Sequence, residues 1–105
     1  ELPMWHFEGN TIFAHAWYNP NLEPEQQQQH NVLWDRLSDW ENYPSADKYL
    51  IHGHTPRRDG PMEAHGRTNL DCGAVFYGRL VVAKMQVGKL APVQFIEFKA
   101  EDFTY

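Results

Sequence analysis

The hydrophobic and polar positions change period several times along the chain, and each change predicts an element. Asn10-Thr-Ile-Phe-Ala14 is β-branched and apolar, which predicts a short buried strand delivering His15 at its end. Ala16-Trp-Tyr-Asn-Pro20 then reads as a turn. Pro24 suits a first helical position, and Glu23 and Glu25 suit the positive end of a helix dipole. Good helix formers follow, and Leu33, Leu37 and Trp40 fall at i, i+4 and i+7, so one main helix is predicted over about 24–41 with that stripe against a sheet. On this reading Gln26–Gln29 is a solvated helix face. Ala46 to Ile51 predicts a second strand, which runs into the turn His52-Gly-His54-Thr-Pro56.

The remaining segments are shorter. Residues 1–9 read as irregular, 57–66 as a Gly/Pro-rich loop, and 67–71 as a short strand. Residues 72–78 form a glycine-bounded turn. Arg79–Val87 and Pro92–Phe98 then predict an antiparallel hairpin around a loop at 88–91, with a polar tail. The resulting fold class is α/β: a mixed sheet with one main helix and a C-terminal antiparallel hairpin.

Composition narrows the functions. A chain of 105 residues with 42% hydrophobic and 14% aromatic residues has the make-up of a single globular domain, not of a disordered one. The net charge of -5 argues against a phosphate-gripping nucleic-acid surface. Positive charge is local, at Arg57, Arg58, Arg67 and Arg79, a pattern suited to a small anionic substrate. A single cysteine, Cys72, allows no intrachain disulfide and fits a reducing, cytoplasmic setting; its apolar context predicts a small buried hydrophobe. No apolar run is long enough to predict a membrane span.

Two strands that each deliver a histidine suggest part of a metal site, because neutral imidazole is a common transition-metal ligand. His15 and His54 cannot complete a shell alone. His52, Asp35, Asp59 and Asp71 are the other candidates, and none has tight ligand spacing. Two unrelated loop histidines remain the alternative. Nucleophile elbows and phosphate-cradling glycine loops are absent from the sequence.

Four blocks carry a family resemblance: Thr11-Ile-Phe-Ala-His15-Ala, Val32-Leu-Trp-Asp-Arg36, His52-Gly-His54-Thr-Pro56 and Asn69-Leu-Asp-Cys-Gly-Ala-Val-Phe-Tyr-Gly-Arg-Leu80. In order and content they resemble the calcineurin-like metallophosphoesterase superfamily, in its branch of bacterial and phage serine/threonine protein phosphatases. The resemblance spans most of the chain. It implies a β-sandwich flanked by helices and a metal-dependent phosphomonoester hydrolase, with His15 and His54 as ligands of the second of two divalent metal ions. Manganese is the implied metal, with iron or zinc as alternatives. Arg36 would bind the substrate phosphate, and His52 would have no ligand role. Cys72 stands where threonine is more usual.

The family's upstream motifs Gly-Asp-x-His-Gly, Gly-Asp-x-x-Asp-Arg-Gly and Gly-Asn-His-Glu do not occur. The resemblance therefore implies that residues 1–105 are the C-terminal portion of such a domain. Its partners would be the N-terminal half of the same enzyme and a phosphorylated protein or small phosphoester; neither nucleic acid nor membrane is implied. The general-acid histidine would lie in the missing half, so the chain alone is expected to be inactive. A diadenosine-polyphosphate hydrolase of the same superfamily, or a truncated non-catalytic interaction module, are the alternative readings.

Overall fold

Three short parallel strands form the centre of the sheet. The computed structural model describes residues 5–35, 42–45, 47–73 and 77–99. The strands are β1 (Trp5–Glu8), β2 (Thr11–Ala14), β3 (Tyr49–His52), β4 (Met62–Ala64), β5 (Arg67–Asn69), β6 (Arg79–Lys84) and β7 (Gln94–Lys99). Strands β1 to β5 make a mixed sheet in the order β1-β2-β3-β5-β4, with β2, β3 and β5 parallel and both edge strands antiparallel. Every residue of β3 and β5 is buried, as expected for the interior of a parallel sheet. Strands β6 and β7 form a separate two-stranded sheet.

The register explains where the core sits. Ile12 pairs with Leu50, and Leu50 with Arg67, so these side chains share one face. On that face Ile12 and Leu50 join Tyr18 and Tyr43 in the core, with Trp5, Ala14 and Trp17 packed against it. Burying each of the two aliphatic side chains contributes about 1.5–3 kcal/mol. The Tyr43 hydroxyl donates to the Tyr18 carbonyl at 2.6 Å, which keeps the buried phenol satisfied. Burial in this setting holds the Tyr43 phenol well above its ordinary range.

Both edge strands depart from the sequence-based reading. Residues 1–9 were expected to be irregular, yet Trp5–Glu8 pairs with β2 through the two-residue turn Gly9-Asn10. Gly9 has φ 59°, the left-handed conformation such a turn requires. Residues 57–66 were expected to form a loop, yet Met62–Ala64 pairs with β5 through His65-Gly66, with Gly66 at φ 83°.

The predicted continuous helix from 24 to 41 is corrected. A 3-10 turn at Pro24–Gln26 is followed by extended backbone at Gln27 and Gln28, and then by a short helix α1 (Gln29–Trp34). The break has a cause in Gln27. Its side-chain amide donates to the carbonyls of Asn19 and Leu22 and accepts from the Asn19 N–H, holding the loop in place of continuing a helix. Gln26 meanwhile returns to the Glu23 N–H in a capping box. Gln26, Gln28 and Gln29 are solvent-exposed as expected, but they do not form one helix face, and Gln26 and Gln27 clamp the loop. Helix α1 ends at Asp35, whose carboxylate accepts from the Asn31 side chain at 3.0–3.1 Å. The buried residue of α1 is Val32, whereas Leu37 and Trp40 of the expected stripe lie outside the described residues. No helix among the described residues is long and apolar enough to cross a membrane.

Candidate functional site

The three parallel strands point their C-terminal ends at the same edge of the sheet, where open sheets commonly build sites. Strand β2 leads directly to His15, β3 runs into Gly53-His54, and β5 leads to Leu70-Asp71. A shallow cleft of about 390 Å³ opens there, lined by these residues with Phe13, Ala14, Ile51 and His52. The backbone ties the strand ends together: the Gly53 N–H donates to the His15 carbonyl at 2.7 Å, and the Leu70 N–H to the His52 carbonyl at 2.9 Å. A Cβ at Gly53 would make ordinary van der Waals contact with the His15 carbonyl at 3.5 Å and Asp71 at 3.7 Å.

His15 and His54, nearly forty positions apart in sequence, stand side by side. His15 Nε2 lies 3.3 Å from His54 Nδ1, and the ring centroids are 5.1 Å apart. Two ring nitrogens bound to one zinc-class ion at about 2.0–2.1 Å, near the tetrahedral angle, stand about 3.3 Å apart. The pair therefore fits two adjacent ligands of a single ion; in neutral imidazoles the same spacing is a hydrogen bond from one ring N–H to the other's lone pair. Trp34, at the end of α1, presents its edge or face to the His54 ring at a centroid distance of 5.5 Å.

His54 occupies left-handed backbone, with φ 74°. Such a conformation is uncommon outside glycine and costs about 1–2 kcal/mol. Its neighbours hold it from both sides. Gly53 is fixed through its N–H, and the Thr55 carbonyl accepts from the Asn69 side chain at 2.8 Å. Asn69 is buried and also accepts from the Asp71 N–H, so one side chain sets both the turn after β3 and the turn after β5.

The other candidate ligands do not join the pair. Asp71 lines the cleft, but its carboxylate caps the Gly73 N–H. Asp35 is engaged by Asn31, and Asp59 by Arg57 at 3.1 Å. Among the described residues no group of three or more histidine, cysteine, aspartate or glutamate side chains converges. Arg36, the expected phosphate-binding residue, lies outside the described residues.

None of Arg57, Arg58, Arg67 and Arg79 lines the cleft beside the pair. Arg67 is completely buried and donates to His52. Arg79 bonds Glu97 and the carbonyls of Arg58 and Gly60. Arg58 stacks on the Tyr77 ring at 4.7 Å. Cys72 is buried as expected, and desolvation raises its thiol pKa, which makes it a poor nucleophile.

The buried contact of His52 with Arg67 is what the sequence reading missed. His52 is no ligand of the pair, yet it is no solvated bystander either, being only 4% exposed. Its Nε2 faces the Arg67 guanidinium at 2.8 Å and its Nδ1 the Gly53 carbonyl at 3.2 Å. Because an arginine only donates, Nε2 must accept, and the proton sits on Nδ1. Desolvation by burial, reinforced by the Arg67 charge, lowers its pKa to about 4. The signal available in sequence was its place as the last residue of an apolar strand; that it meets Arg67 is a matter of register. No family model matches the chain, and no curated protein matches it.

Proposed function

We propose that the chain supplies one side of a divalent-metal centre in a phosphoester hydrolase of the serine/threonine protein phosphatase type. The observation that carries this reading is the His15–His54 pair, with ring nitrogens 3.3 Å apart at the convergent ends of parallel strands. Its further support is the resemblance of the four sequence blocks to the metallophosphoesterases. Bound divalent ions would neutralise phosphoryl oxygens during hydrolysis. His15 and His54 would hold one such ion, and the cleft beside them would admit the phosphate. Arg36 would grip that phosphate through two parallel N–H donors. On the family resemblance, the proton for the leaving alkoxide would come from a general-acid histidine of the N-terminal half.

Two histidines do not fill a metal's coordination shell, and in this reading the N-terminal half of the same enzyme would supply further ligands. The hairpin supports that idea with an open apolar face: Leu80 pairs with Phe98 and Val82 with Ile96, and these four side chains are between 37% and 50% exposed.

Titration of the chain with cobalt(II) tests the site. An absorption change is expected in the visible range, and His15→Ala and His54→Ala should each remove it. Phosphate release from p-nitrophenyl phosphate with added manganese should be negligible for the chain alone. A wild-type chain that leaves the cobalt spectrum unchanged, or one that turns over robustly unaided, overturns the proposal.

A further inference from the structure

The metal-ligand reading of His54 raises the question of what aims its ring, and the answer lies one residue inside the strand. His54 is held in left-handed backbone, so the peptide plane that precedes it must be fixed for its imidazole to meet His15. That plane contains the Gly53 carbonyl. His52 Nδ1 approaches it at 3.2 Å, while Arg67 NH1 meets the opposite ring nitrogen at 2.8 Å. Leu50, His52, Arg67 and Asn69 share one sheet face, since Leu50 pairs with Arg67 and His52 with Asn69. The core side of β3 therefore ends in a buried polar relay that runs from β5 to the turn.

We propose that His52, oriented by Arg67, is a positioning residue that sets the Gly53–His54 peptide and thereby the His54 ring. The relay acts through direction. Arg67 can only donate, so it leaves the His52 proton on Nδ1, the one nitrogen facing the Gly53 carbonyl. A histidine free to choose its tautomer could present a lone pair to that carbonyl and repel it. A fully buried guanidinium is an expensive way to fill space, and fixing a tautomer gives it a use that an aliphatic residue could not serve. The arrangement parallels the outer partners that orient metal-binding histidines, except that it works through the backbone.

This inference rests on His54 being a ligand, and the experiment separates the two ideas. Nuclear magnetic resonance of the metal-free chain reads the backbone carbon shifts of His54 and the proximity of the His15 and His54 rings; cobalt(II) titration reads affinity. His52→Phe keeps the ring volume and removes both nitrogens. It is expected to shift the His54 carbons away from left-handed values, to lose the ring–ring contact and to weaken cobalt binding about 10-fold or more. His52→Asn places an amide N–H where Nδ1 stands and should retain the wild-type shifts. Where His52→Phe does not fold, His52→Gln replaces it, offering Arg67 an acceptor but leaving the Gly53 carbonyl unheld, with the same expected loss. Wild-type shifts in the phenylalanine or glutamine variant, or equal disturbance by the asparagine variant, overturn the positioning role. A wild-type chain that ignores cobalt overturns the ligand reading alone, because the resonance arm still decides the geometry.

Discussion

The β3–β5 pair and the β6–β7 hairpin are both short and hydrogen-bonded, yet the fold treats them oppositely. In β3 and β5 every residue is buried, including the polar His52, Arg67, Thr68 and Asn69. In the hairpin Val81 is buried, while Leu80, Val82, Ile96 and Phe98 are substantially exposed. Backbone pairing alone does not decide how tightly a strand is specified. Burial on both faces does, because it makes each side chain answer to several neighbours at once. The polar groups of β3 and β5 meet that demand with partners: Tyr49 and Thr68 share a hydroxyl hydrogen bond of 2.5 Å, and Asn69 bonds Thr55 and Asp71. The hairpin is anchored more sparsely, through the Arg79 contacts and a hydrogen bond from the Thr11 hydroxyl to the Leu90 carbonyl at 2.8 Å.

The sharpest way to break this contrast is a matched pair of truncations. Leu50→Ala in the centre of β3 should destabilise the chain by about 2–5 kcal/mol, whereas Val82→Ala on the open hairpin face should cost under about 1 kcal/mol. Urea unfolding followed by tryptophan fluorescence measures both. Comparable losses would mean that the hairpin face is as well packed as the sheet centre.

Acid offers a second, smaller test of the buried side. His52 has a pKa lowered from 6.5 to about 4 in the folded chain. Above pH 6.5 it is neutral in both states and contributes no pH dependence. As pH falls from 6.5 toward 4 the unfolded chain takes up a proton that the folded chain refuses, so stability declines, by an amount on the order of 3 kcal/mol, and levels off below that window. The component of the slope that His52→Phe removes isolates this residue; an unchanged slope in that variant would place the titrating group elsewhere.

His54→Gly gives the smallest expected effect and the most pointed one. Removing a side chain from left-handed backbone should raise the stability of the metal-free chain by about 1 kcal/mol, and the same change deletes the proposed ligand. A stabilised chain with a lost cobalt signal would show strain retained for function. A destabilised one would mean that the His15 and Trp34 contacts outweigh the backbone cost.

Some of this was legible in the residues. The strands leading to His15 and His54, an antiparallel hairpin (observed as 79–84 with 94–99 where the sequence suggested 79–87 with 92–98) and the burial of Cys72 all follow from local apolar runs and their turn signals. The edge strands were missed although Gly9-Asn10 and His65-Gly66 are two-residue hairpin turns, because Trp5–Glu8 and Met62–Ala64 are only four and three residues long and mix polar with apolar positions. The helix was overextended because propensity cannot foresee that the Gln27 amide would bond a loop eight residues back.

What the sequence determined by itself is periodic and local: which runs could be strands, where glycine permits a turn, and which histidines lie at strand ends. What only the tertiary structure decided is who meets whom. Parallel pairing of β2, β3 and β5 sets the separation of His15 and His54, and the same register puts Arg67 against His52. These contacts join residues far apart in the chain through strand alignment. Alignment is chosen by the burial of whole faces, and no single stretch of residues carries that information.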